Sequence, residues 1–182
     1  MRRYTPIFIV LCAVVTGCMN RHFYQQEDYP FYRQPDNGSS GALLRTDGVY
    51  VLQQRKGDTA TYTKPGRMYK FYPGRQFNMV LGLADSAPAD SILKVFNQEA
   101  LKTRTLFQGY FKNQADRLIL QNVHTARRQF NYHYAIIGKD RLIIKASTHQ
   151  GRGKFSDKYF ENGYTEVYHF REITGRFADP RW

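Results

Sequence analysis

The stretch RQFNYHYAIIGKDRLIIKAS, residues 128–147, alternates between large apolar and polar side chains on both sides of a Gly-Lys-Asp link. Phe130, Tyr132, Tyr134 and Ile136 share one face at the two-residue period of a half-buried strand, and beyond Gly138 the pattern resumes with Leu142 and Ile144. Glycine in so short a connection supplies the positive φ of a tight hairpin. The stretch therefore predicts two antiparallel strands and a turn. His133 falls on the more polar face, as a solvated residue opposite Ile144 or Lys145.

The same grammar extends in both directions. LLRTDGVYVLQQ (43–54), RMYKFYP (67–73), RQFNMVLGL (75–83), LFQGYFKNQADRLILQNV (106–123) and YTEVYHFREI (164–173) each alternate between turn residues, for about eight strands in all. GYFKNQADRLILQ (109–121) aligns without gaps on HYAIIGKDRLIIK (133–145), placing Tyr110 over Tyr134, as successive hairpins of one meander would. A single segment departs from the pattern. In DSAPADSILKVFNQEALK (85–102), Pro88 and Asp90 suit a first helical turn, and Ile92, Val95, Phe96 and Ala100 share a face, which predicts one short helix. Antiparallel strands in this number must close or stack to hide their edges. The expectation is a mainly β domain over 42–174, an up-and-down barrel first and a sandwich second, followed by a tail at 175–182.

The chain begins MRRYTPIFIVLCAVVTGC, with Arg2 and Arg3 before an apolar run from Ile7 to Val15 and small residues at its end, the plan of a secretory signal over residues 1–17. Val15-Thr16-Gly17-Cys18 resembles the lipobox of bacterial lipoproteins. That resemblance implies cleavage before Cys18, a diacylglyceryl group on its Sγ and acylation of the new amino terminus. With Met19 rather than an acidic residue following, it also implies a lipid-anchored protein of the cell envelope, in the outer membrane where the host has one. Cys12 leaves with the leader, so the mature chain has no partner for a disulfide and no catalytic cysteine. Residues 18–41 carry two prolines and end in a Gly/Ser run, and they read as a flexible tether whose Tyr29, Phe31 and Tyr32 have no evident pattern.

The β region itself resembles the lipocalin-like domains carried by many bacterial lipoproteins. Gly48-Val49-Tyr50 stands where that family has Gly-x-Trp, with Trp182 the sole tryptophan, and Arg171 stands where the family places an arginine against the Trp. The resemblance implies a small barrel with a ligand pocket.

The five histidines show no HxH, HxxxH or HExxH spacing, so neither a metal nor another cofactor is expected. No nucleophile motif or paired-carboxylate spacing is present either, and the chain is read as not an enzyme. Gly151 and Gly153 with Arg152 and Lys154 offer a loop that could contact an anion. Of the 27 Lys and Arg, Arg2 and Arg3 depart with the leader and 25 face 15 acids, a net charge of +10. In an exported, lipid-tethered protein this points away from nucleic acid and toward anionic envelope polymer. Two functions stay open. One is a binding domain for a small apolar or glycan ligand, facing Tyr110, Phe130, Tyr132 and Tyr134; the other is a structural component that binds a protein or an anionic surface polymer.

Overall fold

Each strand runs antiparallel to the next, and the eighth pairs with the first. In chain order β1 (Gly48–Lys56), β2 (Arg67–Phe71), β3 (Gln76–Leu81), β4 (Gln108–Gln114), β5 (Arg117–His124), β6 (Gln129–Gly138), β7 (Arg141–Thr148) and β8 (Thr165–Glu172) form a closed barrel. Closure leaves no edge exposed, and of the two architectures open to the sequence the barrel is the one adopted. The structure is a computed structural model that describes residues 26–34, 43–56, 66–103, 108–124, 129–161 and 163–182. Cys18 and the leader expected over residues 1–17 lie outside the described residues.

The interior is identified by a buried cluster to which every strand contributes, including Tyr50, Tyr69, Phe77, Phe111, Leu118, Ala135, Leu142 and Tyr168. Rings meet edge to face across it, Phe71 on Phe111 at 5.4 Å and Tyr69 on Tyr168 at 5.1 Å between centroids. One end of the barrel carries the tight turns. Gln114 pairs with Arg117 and Gly138 with Arg141, so the two echoing hairpins turn at Ala115-Asp116 and Lys139-Asp140. Arg45 covers this end, with its guanidinium 3.9 Å from the Phe170 ring centroid and ion pairs to Asp47, Asp140 and Glu172. Arg171, which by the lipocalin resemblance stands where an arginine packs against the family's Trp, faces outward and donates to the Asp85 carbonyl at 3.1 Å. Its position follows from alternation, since Phe170 and Tyr168 hold the inward parity.

Two covers are applied to the outside. Helix α2 (Ala89–Phe96) lays Ile92, Leu93 and Phe96 on Val49, Val51 and Met68. The expected face is therefore narrower at its far end: Val95 is half-buried and Ala100, in the one-turn helix α3 (Ala100–Thr103), is exposed. Opposite β4 to β6 the second cover is a 3-10 turn (Gln26–Asp28) followed by the one-turn helix α1 (Pro30–Arg33), with Tyr29 and Phe31 fully buried. The segment 26–34 is thus fastened rather than part of a free tether. Burying two large aromatics is worth about 1.5–3 kcal/mol each, and the Phe31 N–H donates to Gln121 Oε1 at 3.1 Å. Trp182 completes this cover, packed 5.2 Å from the Tyr110 ring, so the C-terminal stretch is docked as well.

Candidate functional site

Along the inward faces, apolar residues give way to polar ones toward the loop end. On β5 Leu118 and Leu120 lead to Asn122 and His124, on β6 Ile137 and Ala135 lead to His133 and Asn131, and on β2 Phe71 and Tyr69 lead to Arg67. On β8 Tyr168 leads to Glu166, which is buried at 2 % exposure. A polar layer of inward side chains therefore stands on an aromatic floor.

Glu166 organises this layer. Arg67 Nη1 donates to its two carboxylate oxygens at 3.1 and 2.9 Å, the Tyr164 hydroxyl to Oε1 at 2.6 Å and the Tyr168 hydroxyl to Oε2 at 2.7 Å. Burial opposes the charge, but Arg67 and the two hydroxyls outweigh it and hold the carboxyl below its ordinary value. A buried ion pair is tolerated when its lone pairs are filled, and these are. Across the lumen, burial pushes His133 down to about 4, with the Glu166 charge opposing in part. Its Nε2 lies 2.9 Å from Asn131 Nδ2, which also donates to Ser147 Oγ at 3.2 Å.

On the inward faces, Arg67 Nε, Asn122 Oδ1 and His124 Nδ1 are buried without a hydrogen-bond partner among the described residues. An orphaned buried donor or acceptor costs about 1–3 kcal/mol. The His124 and His149 rings meet edge to face at 5.0 Å. Among the described residues no group of three or more His, Cys, Asp and Glu is arranged to hold a metal ion.

The sequence placed His133 in solvent, and the structure corrects this. The β6 face that carries His133, Ala135 and Ile137 is the interior, whereas the face bearing Phe130, Tyr132 and Tyr134 points out. His133 is also opposite Ser147 rather than Ile144 or Lys145, because the hairpin turns at Lys139-Asp140, which alone would bring it to Ala146, and the β6–β7 register shifts by one more residue between Tyr134 and Ala135. The expected ligand-facing set is displaced in the same way. Tyr110, Phe130, Tyr132 and Tyr134 do gather, but on the outer face beneath Tyr29, Phe31, Tyr159, Phe160 and Trp182. They do not line the lumen. Tyr134 stacks on Tyr159 at 4.3 Å, the contact of a filled core.

Arg152 and Lys154 are both exposed on the β7–β8 connection. Gly151, Arg152 and Gly153 have φ of 84°, 48° and 64°. Their backbone serves packing, since a Cβ on Gly153 would lie 2.3 Å from the Phe31 ring. A second buried polar group escaped the sequence reading altogether. Lys70 and Lys102, each 2 % exposed, lie under the C-terminal stretch, where Lys102 Nζ donates to Tyr72 Oη at 2.8 Å and Tyr72 donates to Asn78 Oδ1 at 2.9 Å. Burial lowers both amines to about 8. Lys70 Nζ also donates to the Thr46 and Phe71 carbonyls and Lys102 Nζ to that of Ala178, so the pair clamps the segments flanking the barrel.

No family model matches this chain, and neither does any curated protein or solved structure.

Proposed function

We propose that this protein is a lipoprotein of the bacterial cell envelope, anchored through lipid on Cys18, whose barrel binds a small polar ligand at its loop end without acting on it chemically. The anchor rests on the lipobox-like Val15-Thr16-Gly17-Cys18 after an apolar leader, and by that resemblance the outer membrane is favoured where the host has one. The binding role rests on one observation: the barrel interior turns polar toward its loop end, where Arg67 pairs with the buried Glu166 at 2.9 Å and the same inward faces carry Asn122, His124 and His133. Of the two ligand classes expected, this favours the glycan over the apolar one, because the apolar inward residues already fill one another's contacts. Binding is favoured over turnover by the state of the titratable groups. Glu166 is locked in an ion pair, and a histidine lowered to about 4 is a weak base at neutral pH.

The test is mass spectrometry of the chain extracted gently from envelopes. Under denaturing conditions the expected mass is that of the chain from Cys18 plus diacylglyceryl and acyl groups. Under native conditions a co-purifying polar adduct is expected, and it should be missing from Asn122→Phe, which replaces an inward amide at the loop end by an apolar ring. An unmodified Cys18 refutes the anchor, and an adduct that persists in Asn122→Phe refutes binding at the loop end.

A further inference from the structure

We infer that His124 and His149, at the loop-end rim of the barrel, form a two-nitrogen site for an imidazole-preferring transition-metal ion, zinc or copper(II), whose other positions stay with water or a small chelating molecule. The site stands apart from the polar-ligand reading, and neither needs the other.

The fold brings the pair together. His124 ends β5, and His149 directly follows the last residue of β7, so the two meet across the first residues of β6. Their ring centroids are 5.0 Å apart, with 89° between the planes. A metal–nitrogen bond of about 2.0–2.1 Å puts an ion about 3.2 Å from each imidazole centroid, and a tetrahedral angle at the ion then sets the centroids about 5.2 Å apart. The observed spacing is close to that value. An ion can therefore bridge the rings by side-chain rotation, without moving a strand.

The ring nitrogens are sorted for the task. His149 Nδ1 lies 3.4 Å from the Phe130 carbonyl, and a carbonyl only accepts, so Nδ1 carries the proton and the neutral ring has its lone pair on Nε2. A backbone carbonyl in that place is a usual outer partner of a metal-binding imidazole. On His124 it is again Nδ1 that is buried in the protein. Nε2 of both rings is open: neither has a hydrogen-bond partner among the described residues, and neither is shut off from solvent.

The donor set selects the ion. Among the described residues no third His, Cys, Asp or Glu joins the pair. Two neutral imidazoles offer little to magnesium or calcium, which take oxygen ligands in larger number, whereas zinc and copper(II) accept imidazole readily. Two protein nitrogens leave the coordination shell open, the condition under which a bound ion can hold or exchange a further ligand.

The experiment is a titration of the full chain in detergent micelles with zinc chloride, followed by nitrogen-15 NMR of the imidazole rings, which reports the state of each ring nitrogen. Saturable changes with one shared midpoint are expected at Nε2 of His124 and of His149, with His149 Nδ1 still protonated and magnesium chloride without effect. His124→Gln and His149→Gln should each weaken zinc binding at this site at least about tenfold, the lower end of what loss of an outer partner alone costs. His169→Gln, which changes an exposed histidine of β8, should bind zinc as wild type does. Thermal unfolding without zinc checks that each variant is folded, and the wild-type ring signals carry the test where one is not. Zinc that moves only one of the two rings, binding that survives in either folded variant, or Nε2 signals that stay still at millimolar zinc would overturn the site.

Discussion

His133 makes the interior of this barrel sensitive to acid in a window where few other groups respond, and the effect has a definite size. In an unfolded chain the imidazole takes a proton near 6.5, whereas inside the barrel burial delays protonation to about 4. Between those values the unfolded state binds more protons than the folded state, so stability is complete above pH 6.5 and falls as the pH drops toward 4. Each pH unit crossed in that window costs about 1.4 kcal/mol, so the loss from pH 7.5 to 4.5 is about 2.5 kcal/mol. Glu166 works in the same direction only at lower pH, because its carboxyl is held below the ordinary value. The assay is urea denaturation of wild type and His133→Gln at pH 7.5, 6.0 and 4.5. Glutamine cannot titrate, and its amide keeps a partner for Asn131, which lies 2.9 Å from the imidazole. Wild type is expected to lose about 2.5 kcal/mol more than the variant across this range, a midpoint change on the order of 1 M urea. The other histidines are common to both proteins and cancel in the difference. Parallel pH profiles, or a His133 that titrates near 6.5 in the folded protein, would refute a dry histidine in the lumen.

Three further outcomes are expected. Ala115 turns the β4–β5 hairpin with φ of 53°, so Ala115→Gly should relieve left-handed strain and stabilise by about 1 kcal/mol in thermal unfolding; a lower midpoint would count against this turn. Phe31→Ala removes the anchor of α1 from Tyr132 and should let trypsin cut after Arg33 at least about tenfold faster while the barrel still melts cooperatively; unchanged cleavage would show that the segment is held by something else. Lys70 and Lys102, lowered to about 8 from 10.5, shed protons in the folded state that the unfolded chain keeps, so stability should rise by about 2 kcal/mol per lysine from pH 7.5 to 9.5. Lys70→Met should lose its share of that rise, and an identical rise in wild type and variant would place the amine in water.

The strands were legible because a two-residue period is imposed by the backbone itself, and the hairpin echo put Tyr110 and Tyr134 at matching places, as the structure does. Alternation, however, distinguishes two faces without stating which is inside. Choosing the more apolar face of β6 as the interior fails here because its outer face is also dry, covered by Tyr29, Phe31 and Phe160. That cover could not be anticipated from a proline-containing stretch with no period. The Arg67–Glu166 pair joins residues 99 positions apart, beyond any spacing rule. One signal was available: Glu166 has the parity of Tyr164 and Tyr168, so an inward tyrosine face carries an inward charge. The two clamping lysines left no such trace, since Lys70 sits at an outward position that alternation assigns to solvent.

The outer cover and the polar inner layer are two sides of one wall and make energetic sense together. On β5 and β6, Asn122, Asn131 and His133 face the lumen, while Gln121, Tyr132 and Tyr134 face outward beneath the N-terminal segment. A barrel of this size normally gains its stability from inward apolar residues. Here the loop half of the interior supplies hydrogen bonds whose net contribution is small, together with orphaned atoms that oppose folding by about 1–3 kcal/mol each. Those strands must be stabilised from elsewhere. Tyr29, Phe31, Tyr132, Tyr134, Phe160 and Trp182 are all buried on the outside of the same wall, at about 1.5–3 kcal/mol apiece, which offsets the unpartnered atoms on both sides, Trp182 Nε1 in the cover among them. Turning the sheet's aromatic face outward and covering it frees the inner face to be polar. The arrangement that misled the face assignment is therefore the one that lets a polar layer with unpartnered atoms persist inside a folded barrel.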